Sequence, residues 1–185
     1  MQVLPNIYLI GPMGSGKTAV GKQLAKLLKV PFHDSDAEIE KTAGVDIPYI
    51  FDKEGEDSFR KRECDAIDHL TQLQGIVMAT GGGAILAEAN RLHLQNRGKV
   101  VYLHTSIEQQ LERTRHSRHR PMLNVADPEQ RLRSLFALRA PLYESIATII
   151  VNTDHRRVVA VAQDIVDNLQ LNNGYQLDAT SHEYQ

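Results

Sequence analysis

A chain of 185 residues with 42% hydrophobic side chains is long enough for one domain with a sizeable core. Its 21 basic and 23 acidic residues leave a net charge of −2, which excludes a nucleic-acid footprint over the whole surface and makes any strong anion site local. The single cysteine, Cys64, has no partner for an internal disulfide, the histidines show no metal-ligand spacing, and no apolar run spans a bilayer, so the expectation is a cytoplasmic protein with no membrane partner.

The first predicted element is a strand at Ile7–Ile10. Directly after it comes Gly11-Pro12-Met13-Gly14-Ser15-Gly16-Lys17-Thr18, a full G-x-x-x-x-G-K-[ST] match that leads into a helix. Glycines let the backbone curl with N–H groups inward, and the helix adds its positive end, so the segment suits phosphate oxygens. Gly14, Ser15, Gly16, Lys17, Thr18 and Ala19 are therefore the expected ATP-binding residues, with Lys17 on the β- and γ-phosphates and the Thr18 hydroxyl on Mg²⁺. The helix should pack through Val20, Leu24, Leu27 and Leu28.

Further apolar runs at Val30–His33, Ile76–Thr80, Lys99–Leu103 and Thr148–Val151 alternate with helical patterns, which predicts an α/β fold with a five-stranded parallel sheet covered on both faces. In such sheets the ligand site lies at the carboxyl ends of the strands. The second strand ends in Asp34-Ser35-Asp36; read as extended, and beside the first strand, it points both carboxylates at the phosphate site. Asp34 then suits the metal and Asp36 the acceptor hydroxyl, the bland alternative being an Asx turn or helix cap before Ala37. The third strand ends in Thr80-Gly81-Gly82-Gly83, where a motor would carry an acidic residue, and predicts a substrate-facing nest.

Arg60, expected to open a helix beside Phe59, and Arg139, before Ala140-Pro141-Leu142-Tyr143, offer two planar forks for a small carboxylate. Arg113-Thr114-Arg115-His116-Ser117-Arg118-His119-Arg120-Pro121 is the densest positive run; without interleaved aromatics it predicts a mobile lid near 112–124 rather than a nucleic-acid patch. Asp127-Pro128-Glu129 caps a helix running toward Leu138, with Pro141 at its end or kink. The domain is expected to cover 1–170, and 171–185 to be a polar, disordered tail.

These motifs, in this order, resemble the shikimate kinases over roughly residues 5 to 170. The resemblance implies the nucleoside-monophosphate-kinase type of P-loop fold and a cytoplasmic monomer that uses ATP and Mg²⁺ to phosphorylate the 3-hydroxyl of shikimate, toward chorismate. It also implies roles: Lys17, Asp36 and Arg120 catalytic, Thr18 and Asp34 at the metal, Asp36, Arg60, Gly82 and Arg139 on shikimate, and Arg120 and Arg156 on ATP. The alternative within the fold is another small-metabolite kinase, such as a gluconate kinase. A guanine-nucleotide switch lacks support, because no N-K-x-D signature is present.

Overall fold

The computed structural model describes residues 4–114 and 127–171. The elements in chain order are β1 (Ile7–Ile10), α1 (Lys17–Leu28), β2 (Phe32–Asp34), α2 (Ser35–Ala43), α3 (Ile47–Lys53), α4 (Gly55–Thr71) and β3 (Val77–Ala79). A 3-10 turn at Ala84–Leu86 leads into α5 (Glu88–Arg97), β4 (Lys99–His104), α6 (Ile107–Thr114), α7 (Pro128–Ile146), β5 (Ile149–Asn152) and α8 (Val158–Asn168). The five strands form one parallel sheet in the order β2-β3-β1-β4-β5.

Alternation along each strand sends side chains to two separate cores. Ile7 and Leu9 of β1 pack with Val20 and Leu24 of α1 and Ile165 of α8 on one face. Tyr8 and Ile10 pack on the other with Ile67 and Leu70 of α4, Leu94 of α5 and Tyr143 of α7. A third, smaller cluster of Ile39, Ile50 and Phe59 ties α2, α3 and α4 together beside the sheet. The chain leaves β1 toward β2 on one side and reaches β4 and β5 on the other. The crevice for a ligand therefore opens at the carboxyl end of β1, where the connections diverge.

Four expectations change. Strand β2 lies beyond β3 and does not touch β1, because β3 inserts between them. Leu27 is 40% exposed, outside the buried stripe of Val20, Leu24 and Leu28, since its turn of α1 faces away from the sheet. Arg60 sits in the second turn of α4, which begins at Gly55. Helix α7 runs through Pro141 to Ile146; the proline removes one ladder donor, and packing of Tyr143 and Ile146 on the sheet carries the helix past it. Of the expected lid at 112–124, residues 112–114 close α6, and the remainder lies outside the described residues, as do Arg120 and the tail from 172.

Candidate active site

The P-loop bends where only glycine fits easily. Gly11 has φ +145°, and a Cβ there would lie 2.6 Å from the Leu103 carbonyl oxygen of β4. Gly16, at φ +88°, caps α1 with no side-chain hydrogen bond, and the first turn of α1 holds no acidic residue. The opening amides of α1, at Lys17, Thr18 and Ala19, precede the helical ladder, so their N–H groups and the helix's positive end suit an anion. The Lys17 ammonium arches over the loop and donates to the Gly11 and Pro12 carbonyls, both at 2.8 Å, and to Ser15 Oγ at 3.4 Å. Ser15 itself is only 1% exposed, an internal brace of the loop.

The Thr18 hydroxyl donates to Asp34 Oδ2 at 2.8 Å across the cleft mouth. Asp34 Oδ1 accepts from the amides of Asp36 at 3.0 Å and Ala37 at 3.4 Å, which makes it the N-cap of α2. Asp34-Ser35-Asp36 is thus a strand end turning into a helix, not an extended run. The cap bonds stabilise that turn, and Asp36 reaches the cleft from the first turn of α2. The cap uses one oxygen of the carboxylate and the bond from Thr18 the other, so the helix cap is realised and leaves Oδ2 facing Thr18.

Asp36 Oδ1 is buried with no hydrogen-bond partner among the described residues, and so is Glu63 Oε1. Both oxygens face Gly81, where a Cβ would lie 2.7 Å from the first and 2.9 Å from the second. Burial first, then the carboxylates of Asp34 and Glu63, push the Asp36 carboxyl up to about 6, with Lys17 opposing. Burial also raises Glu63, which is 1% exposed, against the pull of Arg60 and Arg139. Sequence reasoning missed Glu63; its only signal was the i, i+3 spacing to Arg60 on one helical face.

Arg60 is held by Glu63 at 2.7 Å and by Glu56 at 3.0 Å, with its guanidinium carbon 5.1 Å from the Phe59 ring centroid. A Cβ on Gly83 would lie 2.8 Å from that carbon, and one on Gly82 would lie 3.7 Å from Arg139 Nη1. Two guanidinium groups, from α4 and α7, therefore flank the Gly82–Gly83 turn. Arg139 is buried, its Nε has no hydrogen-bond partner among the described residues, and desolvation lowers its pKa. Lys17, Thr18, Asp34, Asp36, Arg60 and Arg139 all line one cleft of about 700 Å³, with Ile47, Pro48 and Phe51 as its apolar wall.

Arg156 is placed elsewhere. It follows β5, pairs with Asp164 at 2.7 Å and donates to the Asn152 carbonyl at 3.3 Å, outside the lining of that cleft. Arg113, expected in the lid, instead ends α6 and is fixed: it donates to the Gly14 carbonyl at 3.0 Å and the Thr153 carbonyl at 2.7 Å, and it lines the cleft. Its position within a run of arginines gave no sign of this anchoring.

A P-loop at the switch point of a parallel sheet, with an acidic and guanidinium-lined acceptor pocket beside it, defines a phosphotransferase of the nucleoside-monophosphate-kinase type. A family model described as shikimate kinase matches residues 13–170. The shikimate kinase of Pseudomonas fluorescens is 53% identical over 164 residues, covering 89% of this chain and 95% of that protein. That of Pasteurella multocida is 55% identical over 163 residues, covering 88% and 93%. Among solved structures, the shikimate kinase from Acinetobacter baumannii in complex with shikimate superposes with a TM-score of 0.89 at 49% identity, covering 92% of this chain and 95% of that one. The chain belongs to the shikimate kinase family. Among its described residues no helix is long and apolar enough to cross a membrane.

Proposed function

We propose that shikimate lies in the cleft with its carboxylate between Arg60 and Arg139 and its 3-hydroxyl at Asp36, facing the γ-phosphate of ATP on the P-loop. The activity is ATP-dependent phosphorylation of that hydroxyl to give shikimate 3-phosphate. The observation that carries the placement is the convergence of two arginines on the Gly82–Gly83 turn beside Asp36, whose Oδ1 is buried. Two forks on one carboxylate fix both its position and its plane, which leaves the ring hydroxyls a defined reach toward Asp36 and the Gly82 backbone.

Phosphoryl transfer passes through a loose transition state, so positioning and charge do most of the catalysis. Lys17 offsets charge on the β- and γ-phosphates, the α1 amides hold the phosphate oxygens, and Asp36 accepts a hydrogen bond from the attacking hydroxyl. Among the arginines toward the nucleotide, Arg113 lines the cleft and touches Gly14, whereas Arg156 is turned onto Asp164. Arg113 therefore takes the contact nearer the P-loop and Arg156 a more distant one, with Arg120 assigned to the transferring group. The Thr18 hydroxyl and Asp34 carboxylate, 2.8 Å apart, are hard oxygen donors of the kind Mg²⁺ uses together with phosphates and water. Bound there, the ion would neutralise phosphate charge.

Comparing shikimate, quinate and gluconate as acceptors in one coupled ATP assay tests the substrate. A decisive preference for shikimate is expected; comparable kcat/KM for gluconate would leave only a generic small-metabolite kinase. Arg60→Lys keeps the charge and loses the fork, and should cost about 1.5–3 kcal/mol in kcat/KM for shikimate. Wild-type kcat/KM in that variant would remove Arg60 from the carboxylate site.

A further inference from the structure

Tyr143 stands four residues after Arg139, on the same face of α7, with Pro141 between them. It is 1% exposed, and its ring stacks on Tyr102 of β4 with centroids 5.0 Å apart and planes inclined by 26°. The Tyr143 hydroxyl donates to the Gly82 carbonyl at 2.6 Å. The Arg139 guanidinium lies beside the same glycine, its Nη1 3.7 Å from where a Gly82 Cβ would stand, and its charge is felt at the Tyr143 hydroxyl. One phenol on the same helix face as the guanidinium thus holds a backbone peptide beside it, where the Gly11 carbonyl and the Met13 amide of the P-loop also approach Gly82, each 3.6 Å from where its Cβ would stand.

The geometry gives this junction a direction. The Gly82–Gly83 peptide is trans, so its carbonyl oxygen and the Gly83 N–H point opposite ways. Holding the carbonyl against α7 turns the Gly83 N–H away from α7. Glycines at 81, 82 and 83 leave this turn few side-chain restraints, so an external bond has to choose its orientation. The same hydroxyl lies beside a guanidinium whose Nε has no hydrogen-bond partner among the described residues. The stacked Tyr102 keeps the phenol ring from swinging, while the Tyr102 hydroxyl is buried with no hydrogen-bond partner among the described residues.

We propose that Tyr143 is a positioning residue for the acceptor: its hydroxyl sets Arg139 and the Gly82 backbone at a fixed separation, and so governs shikimate binding without touching the nucleotide. The inference rests on Arg139 gripping the shikimate carboxylate, as proposed above. Tyr143→Phe retains the ring and its stack and deletes only the bridging oxygen. A shikimate KM raised about three- to tenfold is expected, the range of one hydrogen bond, with the ATP KM within about twofold of wild type.

A double-variant cycle separates this from a general loss of packing. If the phenol acts through Arg139, then Arg139→Lys combined with Tyr143→Phe should be little worse than Arg139→Lys alone. Tyr102→Phe, which removes a hydroxyl with no partner from the same stack, should keep the wild-type shikimate KM. Wild-type kinetics in Tyr143→Phe, losses that simply multiply in the double variant, or an equal KM rise in Tyr102→Phe each overturn the inference while leaving Arg139 in place. Wild-type shikimate kinetics in Arg139→Lys overturn the carboxylate assignment itself, and the inference with it.

Discussion

Burial and the carboxylates of Asp34 and Glu63 hold the Asp36 carboxyl at about 6, against an ordinary 3.8. A folded-state pKa above the unfolded one means that the native protein binds this proton more tightly. Stability from the group is therefore greatest below pH 3.8 and falls as the pH rises toward 6. At neutral pH the ionised carboxylate destabilises the fold, by about 3 kcal/mol as an order of magnitude. Asp36→Asn should thus melt higher than wild type at pH 7.5 and gain much less at pH 4, while losing most turnover and keeping ATP affinity. Calorimetric melting at the two pH values, with ATP titration, checks this; a lower melting temperature at pH 7.5 would show that Asp36 has a stabilising partner. In the proposed placement the ionised form accepts the bond from the acceptor hydroxyl, so kcat/KM for shikimate should fall as the pH drops through about 6.

Helix α2 owes its start to the same carboxylate that meets Thr18. Asparagine caps a helix about as well as aspartate but carries no charge, so substitution can separate the cap from the metal role proposed for Asp34. Asp34→Asn should keep the wild-type denaturation midpoint and raise the Mg²⁺ concentration needed for half-maximal activity, whereas Asp34→Ala should lose about 1 kcal/mol of stability as well. Equal Mg²⁺ dependence in Asp34→Asn and wild type would leave Asp34 as a cap alone. The sequence shows why this element was harder to place than the P-loop. Asp34-Ser35-Asp36 suits a strand end, a turn and a cap equally, and only the amides of Asp36 and Ala37 closing on Asp34 decide among them. The P-loop, by contrast, is local: its glycines, lysine and threonine specify their own geometry.

At the scale of the molecule, alternating strands and helices made the parallel sheet legible, but no local pattern says that β3 inserts between β1 and β2. The proposed acceptor site depends on that insertion, because it brings Gly81–Gly83, just after β3, between Asp36 on one side and Arg139 on the other. Helix phase then picks Arg60 from Arg60-Lys61-Arg62: Arg62 pairs outward with Glu54 at 2.9 Å, and Arg60 turns into the cleft. Asp36 and Arg60 belong to the helices around the small cluster of Ile39, Ile50 and Phe59, while Arg139 and Gly82 belong to the sheet and α7. A core this small should open locally at lower free energy than the sheet, and shikimate in the proposed placement bridges the two parts. At about 100 times its dissociation constant, shikimate should stabilise every state that keeps the site over those that lose it by about 2.7 kcal/mol. Amide hydrogen exchange gives the direct measurement. Protection across α2, α3 and α4 should rise by about 100-fold on adding shikimate. Amides of α8 that exchange through local opening on the far face of the sheet should be unchanged, since that opening leaves the pocket whole. Unaltered exchange in α2–α4 at saturating shikimate would place the acceptor's contacts on the sheet and α7 alone, and would detach Asp36 and Arg60 from its binding.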